Sequence, residues 1–266
     1  MGILNLTPDS FSDGGRYNRK ELALAHARQM VEEGAGCIDI GGESTRPGAQ
    51  SVSEQQELDR VIPLVETLSR ELEIPLSIDT SKPGVMREAV AAGAGMINDV
   101  LALRAPAALE TAARLQVPVC LMHMQGEPRT MQASPEYADV VRDVGGFLAG
   151  RIEACLAAGI PRARLLIDPG FGFGKTLQHN LLLLQRLEAL QVLAVPLLVG
   201  ISRKSMIGAL LGGASVSDRV YGSVAAAVLA VLKGAAIVRV HDVRATVDAL
   251  RVVAAVMDKN EIYNGH

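Results

Sequence analysis

The residues able to do chemistry in this chain recur in one kind of place: each follows a short apolar run. In order they are Asn5; Glu43, Thr45 and Arg46; Asp79; Asn98 and Asp99; His123; Asp168; Ser202, Arg203 and Lys204; and Arg239 with His241. They divide by chemistry. Asp79, Asn98 and Asp168 bring acceptors, and a carboxylate in a concave site accepts two parallel N–H bonds from an amidine- or guanidine-like edge. A nitrogen heterocycle such as a pterin presents that edge. Lys204, Arg239 and His241 bring donors and positive charge, which suit a phosphate group. Asn5 is neutral, with an amide oxygen able to ligate a hard cation such as Mg2+. A substrate with a donor-rich ring at one end and phosphates at the other would match both halves.

Such a set needs a scaffold that brings strand ends to one place. Strand-like runs fall at Gly2–Leu6, Cys37–Gly41, Leu76–Asp79, Met96–Asp99, Val117–His123, Leu165–Asp168, Leu197–Ile201 and Ala236–Val240. They are nearly continuous in apolar residues, as strands buried on both faces are. Helical periodicity fills the intervals. Ala23, Ala27, Met30 and Val31 share a face, as do Leu58, Val61, Ile62, Val65, Leu68 and Leu72. The same holds for Val220, Val224, Ala227, Val228 and Val231, and for Val243, Val247, Leu250, Ala254 and Met257. Ser53 with Gln56 reads as a capping box, and Ser134-Pro135 as an N-cap followed by an N1 proline. Gly34-Ala35, Gly93-Ala94 and Gly234-Ala235 each close a helix just before a strand, a repeat that marks a recurring βα unit.

The expectation is an α/β protein, a (β/α)8 TIM barrel forming one domain over residues 1–266. In such barrels the C-terminal strand ends converge on the active-site mouth. Two βα connections, from residue 7 to about 17 and from 42 to about 52, exceed the usual 2–6 residues and mark functional loops.

Composition excludes other classes. The chain is 49% hydrophobic and 3% aromatic, without tryptophan, so its core is aliphatic. A formal charge of -3 without a Lys/Arg block argues against a nucleic-acid partner. Cys37, Cys120 and Cys155 form no CxxC pair and read as reduced thiols, fitting the cytoplasm. The most apolar helix, 220–232, falls short of the ~20 residues a membrane span needs. Gly174-Lys175-Thr176 imitates a phosphate loop, but Pro169 stands where its first glycine belongs. No HExxH or GxSxG pattern supports a zinc site or a nucleophilic serine.

Two long-loop motifs carry a resemblance over essentially the whole chain. The first runs from Met1 to Gly15 (MGILNLTPDSFSDGG) and the second from Asp39 to Gly48 (DIGGESTRPG). Shorter matches are Ile78-Asp79-Thr80-Ser81, Ile97-Asn98-Asp99, Leu121-Met122-His123-Met124, 168–175 (DPGFGFGK), Ser202-Arg203-Lys204-Ser205 and Arg239-Val240-His241-Asp242. With these the chain resembles the bacterial dihydropteroate synthases. The resemblance implies condensation of 7,8-dihydropterin-6-ylmethyl diphosphate with 4-aminobenzoate in folate biosynthesis, with Mg2+ as cofactor and sulfonamides as inhibitors. It further implies that Asp79, Asn98, Met122, Asp168 and Lys204 hold the pterin, and that Asn5, Arg239 and His241 hold the diphosphate, Asn5 also touching the metal. Thr45, Arg46, Pro47, Phe173, Lys204 and Ser205 would frame the 4-aminobenzoate. A homodimer through late helices is implied too, as is a family segment upstream of the first strand that is expected to be absent here.

Two other readings compete. A pterin-dependent methyltransferase barrel would share the Asp/Asn pocket without needing Thr45-Arg46-Pro47 or Ser202–Ser205. A non-catalytic pterin-binding module would not need Lys204, Arg239 and His241 together.

Overall fold

The computed structural model describes residues 1–6, 16–44, 51–126 and 130–257, with backbone only for 16–19. Strands and helices alternate through this range. The strands are β1 (Gly2–Asn5), β2 (Ile38–Gly41), β3 (Leu76–Asp79), β4 (Met96–Asp99), β5 (Val119–Met122), β6 (Leu165–Asp168), β7 (Leu197–Val199) and β8 (Ala235–Val238). The α-helices are α1 (Arg16–Glu32), α2 (Glu54–Glu71), α3 (Pro83–Ala91), α4 (Ala108–Leu115), α5 (Val140–Ala157), α6 (Leu177–Gln185), α7 (Ser205–Leu210), α8 (Val220–Leu232) and α9 (Val243–Met257).

All eight strands join one parallel sheet in chain order, β1 to β8. Every neighbouring pair is consecutive in sequence, so each crossover is one helix-bearing segment and the sheet curls in one direction. The curl brings the last strand back toward the first. Gly2 forms an isolated parallel bridge with Val240, and Ile3 N–H reaches the Val240 carbonyl at 3.0 Å.

Alternation along the strands sorts the side chains. Ile38, Ile40, Ile78, Ile97, Leu121 and Ile167 belong to the large core shared with the helices. The intervening positions face the concave side. There, Met96, Cys120 and Leu198 form a small buried cluster, with Met1, Leu166 and Ile237 packed on it. Above this floor the concave positions turn polar.

Several local expectations hold. Ser53 and Gln56 form the capping box of α2, with bonds of 2.9 and 3.2 Å. Gly34, Gly93 and Gly234 take left-handed φ values of 98, 115 and 94° before their strands. Other expectations are corrected. Ser134-Pro135 does not start a helix. The Gln125 side chain bonds both the N–H and the carbonyl of Glu136, at 3.1 and 2.8 Å, in a stretch without helical structure. Helix α5 begins later, capped by Asp139, which accepts from Val141 and Arg142 N–H at 3.0 and 3.1 Å. The buried stripe of α8 is Ser223, Ala226, Ala227 and Ala230, small residues that allow close approach, while Val220, Val224, Val228 and Val231 flank it half-buried. On α9, Ala254 and Met257 do not share the buried face of Val243; both stand exposed. Five strands differ by one or more residues from the apolar runs, because a run's apolar character does not say where its neighbours stop pairing. The free thiols behave as read: Cys120 and Cys155 are buried, Cys37 half-buried. Among the described residues no helix is long and apolar enough to cross a membrane.

Candidate active site

The C-terminal ends of β3, β4, β5 and β6 bring Asp79, Asn98, Met122 and Asp168 to one end of the curled sheet. Across the concavity stands Arg239, just past β8. Its Nε donates to Asp39 Oδ2 at 2.5 Å and its Nη2 to Asp79 Oδ2 at 2.8 Å. Asn98 Nδ2 donates to the same Asp39 oxygen at 3.0 Å. The residues divided by chemistry in sequence meet in space: curling of the sheet interlocks Arg239 of the donor half with Asp79 of the acceptor half. Asp39 was missed as a functional residue. Its available signal was a charge at a concave-facing position between Ile38 and Ile40, in a strand otherwise apolar. It is fully buried and centres the network.

Burial sets the electrostatics. It pushes the Asp79 carboxyl up to about 7 against the pull of Arg239, with Asp39, Glu57 and Asp99 adding to the rise. Asp168 is also raised by burial, opposed by Lys204, by the Gly170 N–H, and by Lys175 and Arg239. Its Oδ1 accepts that N–H at 2.7 Å. Lys204 is lowered to about 8 by burial, with Asp168 opposing and Arg239 adding. Burial works against the Arg239 charge as well, but Asp39 and Asp79 overcome it and keep the guanidinium ionised.

Lys204 joins two parts of the site. Its ammonium donates to the Phe171 carbonyl and lies 4.6 Å from the centroid of the Phe173 ring, within cation–π range. The next residue, Ser205, opens α7. Met122 packs with Val100, Met124 and Met131, and Phe173 and Leu101 lie against them, giving the pocket an apolar wall. Ser202 Oγ bonds the His241 N–H at 3.1 Å and lies 3.0 Å from its Nδ1, coupling the loop after β7 to the loop after β8. Thr45, Arg46, Pro47 and the 7–15 loop lie outside the described residues.

Not every polar strand end serves the mouth. Asp99 accepts from Leu101 and Leu103 N–H, both at 2.8 Å, and from Ser81, so it shapes its own turn. Glu43 accepts from Lys82 at 2.5 Å and from Val52 N–H at 3.1 Å. Arg203 pairs with Asp242 through Nε at 2.9 Å. His123 faces Lys175 instead of the opening, its Nδ1 2.9 Å from the amine.

A Cβ on Gly41 would lie 3.5 Å from Asn5 Oδ1 and 3.7 Å from Asp79 Oδ2, so the bare glycine leaves a cradle between these oxygens. Among the described residues no group of three or more His, Cys, Asp or Glu side chains could cage a metal. The oxygens of Asn5 and Asp79 are hard donors of the type that Mg2+ takes.

A mouth of buried carboxylates, an amide and an apolar wall on a curled parallel sheet defines a pterin-binding enzyme, and residues 1–241 match the family of that description. The chain is 54% identical to the dihydropteroate synthase of Escherichia coli (strain K12) over 261 residues, 98% of this chain and 92% of the relative. It belongs to the dihydropteroate synthase family. A Xanthomonas albilineans dihydropteroate synthase solved with 4-aminobenzoic acid superposes with a TM-score of 0.92 at 57% identity, covering 97% of this chain and 92% of that one. Another Xanthomonas albilineans structure, in complex with 7,8-dihydropteroate, gives a TM-score of 0.89 at 54% identity over 97% and 93% of the two chains.

Proposed function

We propose that this chain condenses 7,8-dihydropterin-6-ylmethyl diphosphate with 4-aminobenzoate, releasing diphosphate and forming 7,8-dihydropteroate for folate biosynthesis. The observation that carries this reading is the placement of Lys204. Its charge acts on the buried Asp168 through space and its ammonium lies 4.6 Å from the centroid of the Phe173 ring, with Ser205 next in the chain. That arrangement joins a pterin pocket to a second, aromatic subsite, which neither a methyltransferase nor a pure binder requires.

The residues account for the chemistry. Asp79, Asn98, Asp168 and Lys204 hold the pterin's donors and acceptors, with Met122 against its ring. The methylene C–O bond breaks and its electron pair leaves with the diphosphate. The carboxylates of Asp79 and Asp168 oppose the positive charge left on the pterin methylene. The amine nitrogen of 4-aminobenzoate bonds to that carbon and then loses a proton to water. The nucleophile is substrate, so the protein contributes positioning and electrostatics. Arg239 gives one N–H each to Asp39 and Asp79. Its other donors, with His241 and Asn5, would hold the diphosphate. Bound at Asn5, Mg2+ would neutralise the departing oxygens. Thr45, Arg46, Pro47, Phe173, Lys204 and Ser205 would frame 4-aminobenzoate.

The architecture is a closed (β/α)8 barrel in one domain, a reading supported by the Gly2–Val240 bridge. A homodimer is supported by large apolar side chains exposed on α8 and α9: Tyr221 is 89% exposed, Val252 65% and Val256 67%. A cytoplasmic location accords with the three free thiols. The test is diphosphate release. It should require both 4-aminobenzoate and Mg2+ and stop on chelation. Release without 4-aminobenzoate, or none with both substrates, would refute the proposal.

A further inference from the structure

Lys175 is assigned no contact with either substrate, yet the residue is 3% exposed and its amine is fully engaged. As an ammonium it has three donors, and three acceptors face it: His123 Nδ1 at 2.9 Å, the Gly170 carbonyl at 2.8 Å and the Phe173 carbonyl at 3.1 Å. An ammonium has no lone pair, so His123 accepts on Nδ1 and carries its ring proton on Nε2. Burial, with the Lys175 charge, lowers the His123 pKa to about 3 and keeps the ring a neutral acceptor. Phe147 packs edge-on against that ring at 4.9 Å. Burial also lowers the Lys175 pKa to about 7, with Asp168 opposing and Lys204 adding, so the ammonium form costs free energy here and is fully populated only below that pH.

The turn that Lys175 grips serves both proposed subsites. Gly170 N–H holds Asp168, the Phe171 carbonyl holds the Lys204 ammonium, and the Phe173 ring lies beside that same ammonium. Gly170, Gly172 and Gly174 take left-handed φ values of 69, 79 and 61°. A backbone with three such glycines has much freedom to lose and needs fastening from outside. Lys175 fastens it at Gly170 and at Phe173, the two ends of the segment that matters.

We propose that Lys175 is a positioning residue: through the 170–173 backbone it sets Asp168 on the pterin side and Phe173 on the 4-aminobenzoate side relative to Lys204, so that one buried ammonium aligns both substrates. The proposal rests on the functional reading above. Lys175→Met removes the donors and keeps the length. Its kcat/KM for 4-aminobenzoate should fall on the order of 100-fold, the cost of misplacing a reacting group by about an ångström. Amide hydrogen exchange across 170–174 should rise at least roughly tenfold in the full chain, since the clamp no longer opposes local opening. A purely structural lysine would lower Tm while leaving kcat and both KM values of the folded protein near wild type, and that result would overturn the proposal. If Lys175→Met does not fold, His123→Gln, which keeps an acceptor, should preserve the KM values that His123→Phe raises. Equal KM values in those two variants would overturn it equally. Wild-type protein without 4-aminobenzoate-dependent diphosphate release would refute the functional reading alone, and unchanged exchange in Lys175→Met would refute the clamp alone.

Discussion

Asp168→Asn isolates the buried charge at the centre of the site. The amide fits the same space, and its oxygen can still take the Gly170 N–H that Asp168 accepts at 2.7 Å. What changes is the second oxygen, replaced by an NH2 that would face the N–H edge of the pterin. The loss is one charge-assisted hydrogen bond, about 1.5–3 kcal/mol, or roughly 10–150-fold in the Kd for the pterin diphosphate. Removal of one preorganised group from the transition state costs on the order of 10²–10³ in rate, so kcat/KM should fall at least as far as binding does. Stability should move the other way. Burial raises the Asp168 pKa in the folded chain. The ionised carboxylate therefore costs stability above its unfolded pKa, and a neutral amide escapes that cost. Calorimetric titration with the pterin diphosphate, steady-state diphosphate release and a thermal melt at neutral pH separate these effects. The expected result is weak binding, slow turnover and a Tm equal to or above wild type. A Kd within about threefold of wild type would refute the assigned role. So would an activity loss that merely follows a lowered Tm.

Asp39→Asn should cost about 3 kcal/mol or more by leaving Arg239 and Asn98 short of a buried carboxylate, lowering Tm by roughly 6–12 °C. Its KM for the pterin diphosphate should rise as Arg239 loses one of two anchors, and paired melts and kinetics would test both effects. Pterin affinity should climb with pH through about 7 and level off above it. Asp79, faced by Arg239, Asp39, Glu57 and Asp99, is held near 7 and accepts two N–H bonds only when ionised. Proton release on binding, measured in buffers of different ionisation enthalpy, is the check, and a pH-independent Kd would contradict it. Gly170→Ala should destroy activity and destabilise the fold by well over about 1 kcal/mol. Its φ is 69° and a Cβ there would lie 1.8 Å from the His123 carbonyl oxygen, so a melt near wild type would contradict the placement of that turn.

Much of the fold was legible in the chain because its signals are local. Apolar runs of the buried-strand type, helical periodicity between them and Gly-Ala stops before strands need only neighbouring residues to act. Strand ends were less legible, since Val119–Met122 pairs for less than the apolar run 117–123, and only the adjacent strands decide where pairing stops. Family membership was legible for a similar reason: the loop motifs are continuous segments. Asp79, Asn98, Met122, Asp168, Lys204 and Arg239 were named from the chain, and the curled sheet gathers them.

What the linear chain could not decide is which polar strand end meets which partner. Asp99, His123, Glu43 and Arg203 look like Asp79 and Asp168 in sequence, each a polar group after an apolar run. The first four are consumed by Leu101 and Leu103, Lys175, Lys82 and Asp242, respectively. Asp39 and Arg239 are 200 positions apart yet share a 2.5 Å bond, because eight strands in chain order curl the last back toward the first. Residue types and their spacing thus determined the alternation of strands and helices, the family and the candidate residues of the site, Asp39 excepted. The tertiary curl alone decided the pairings within the site, since burial and a charged partner act through space and leave no mark in the order of residues.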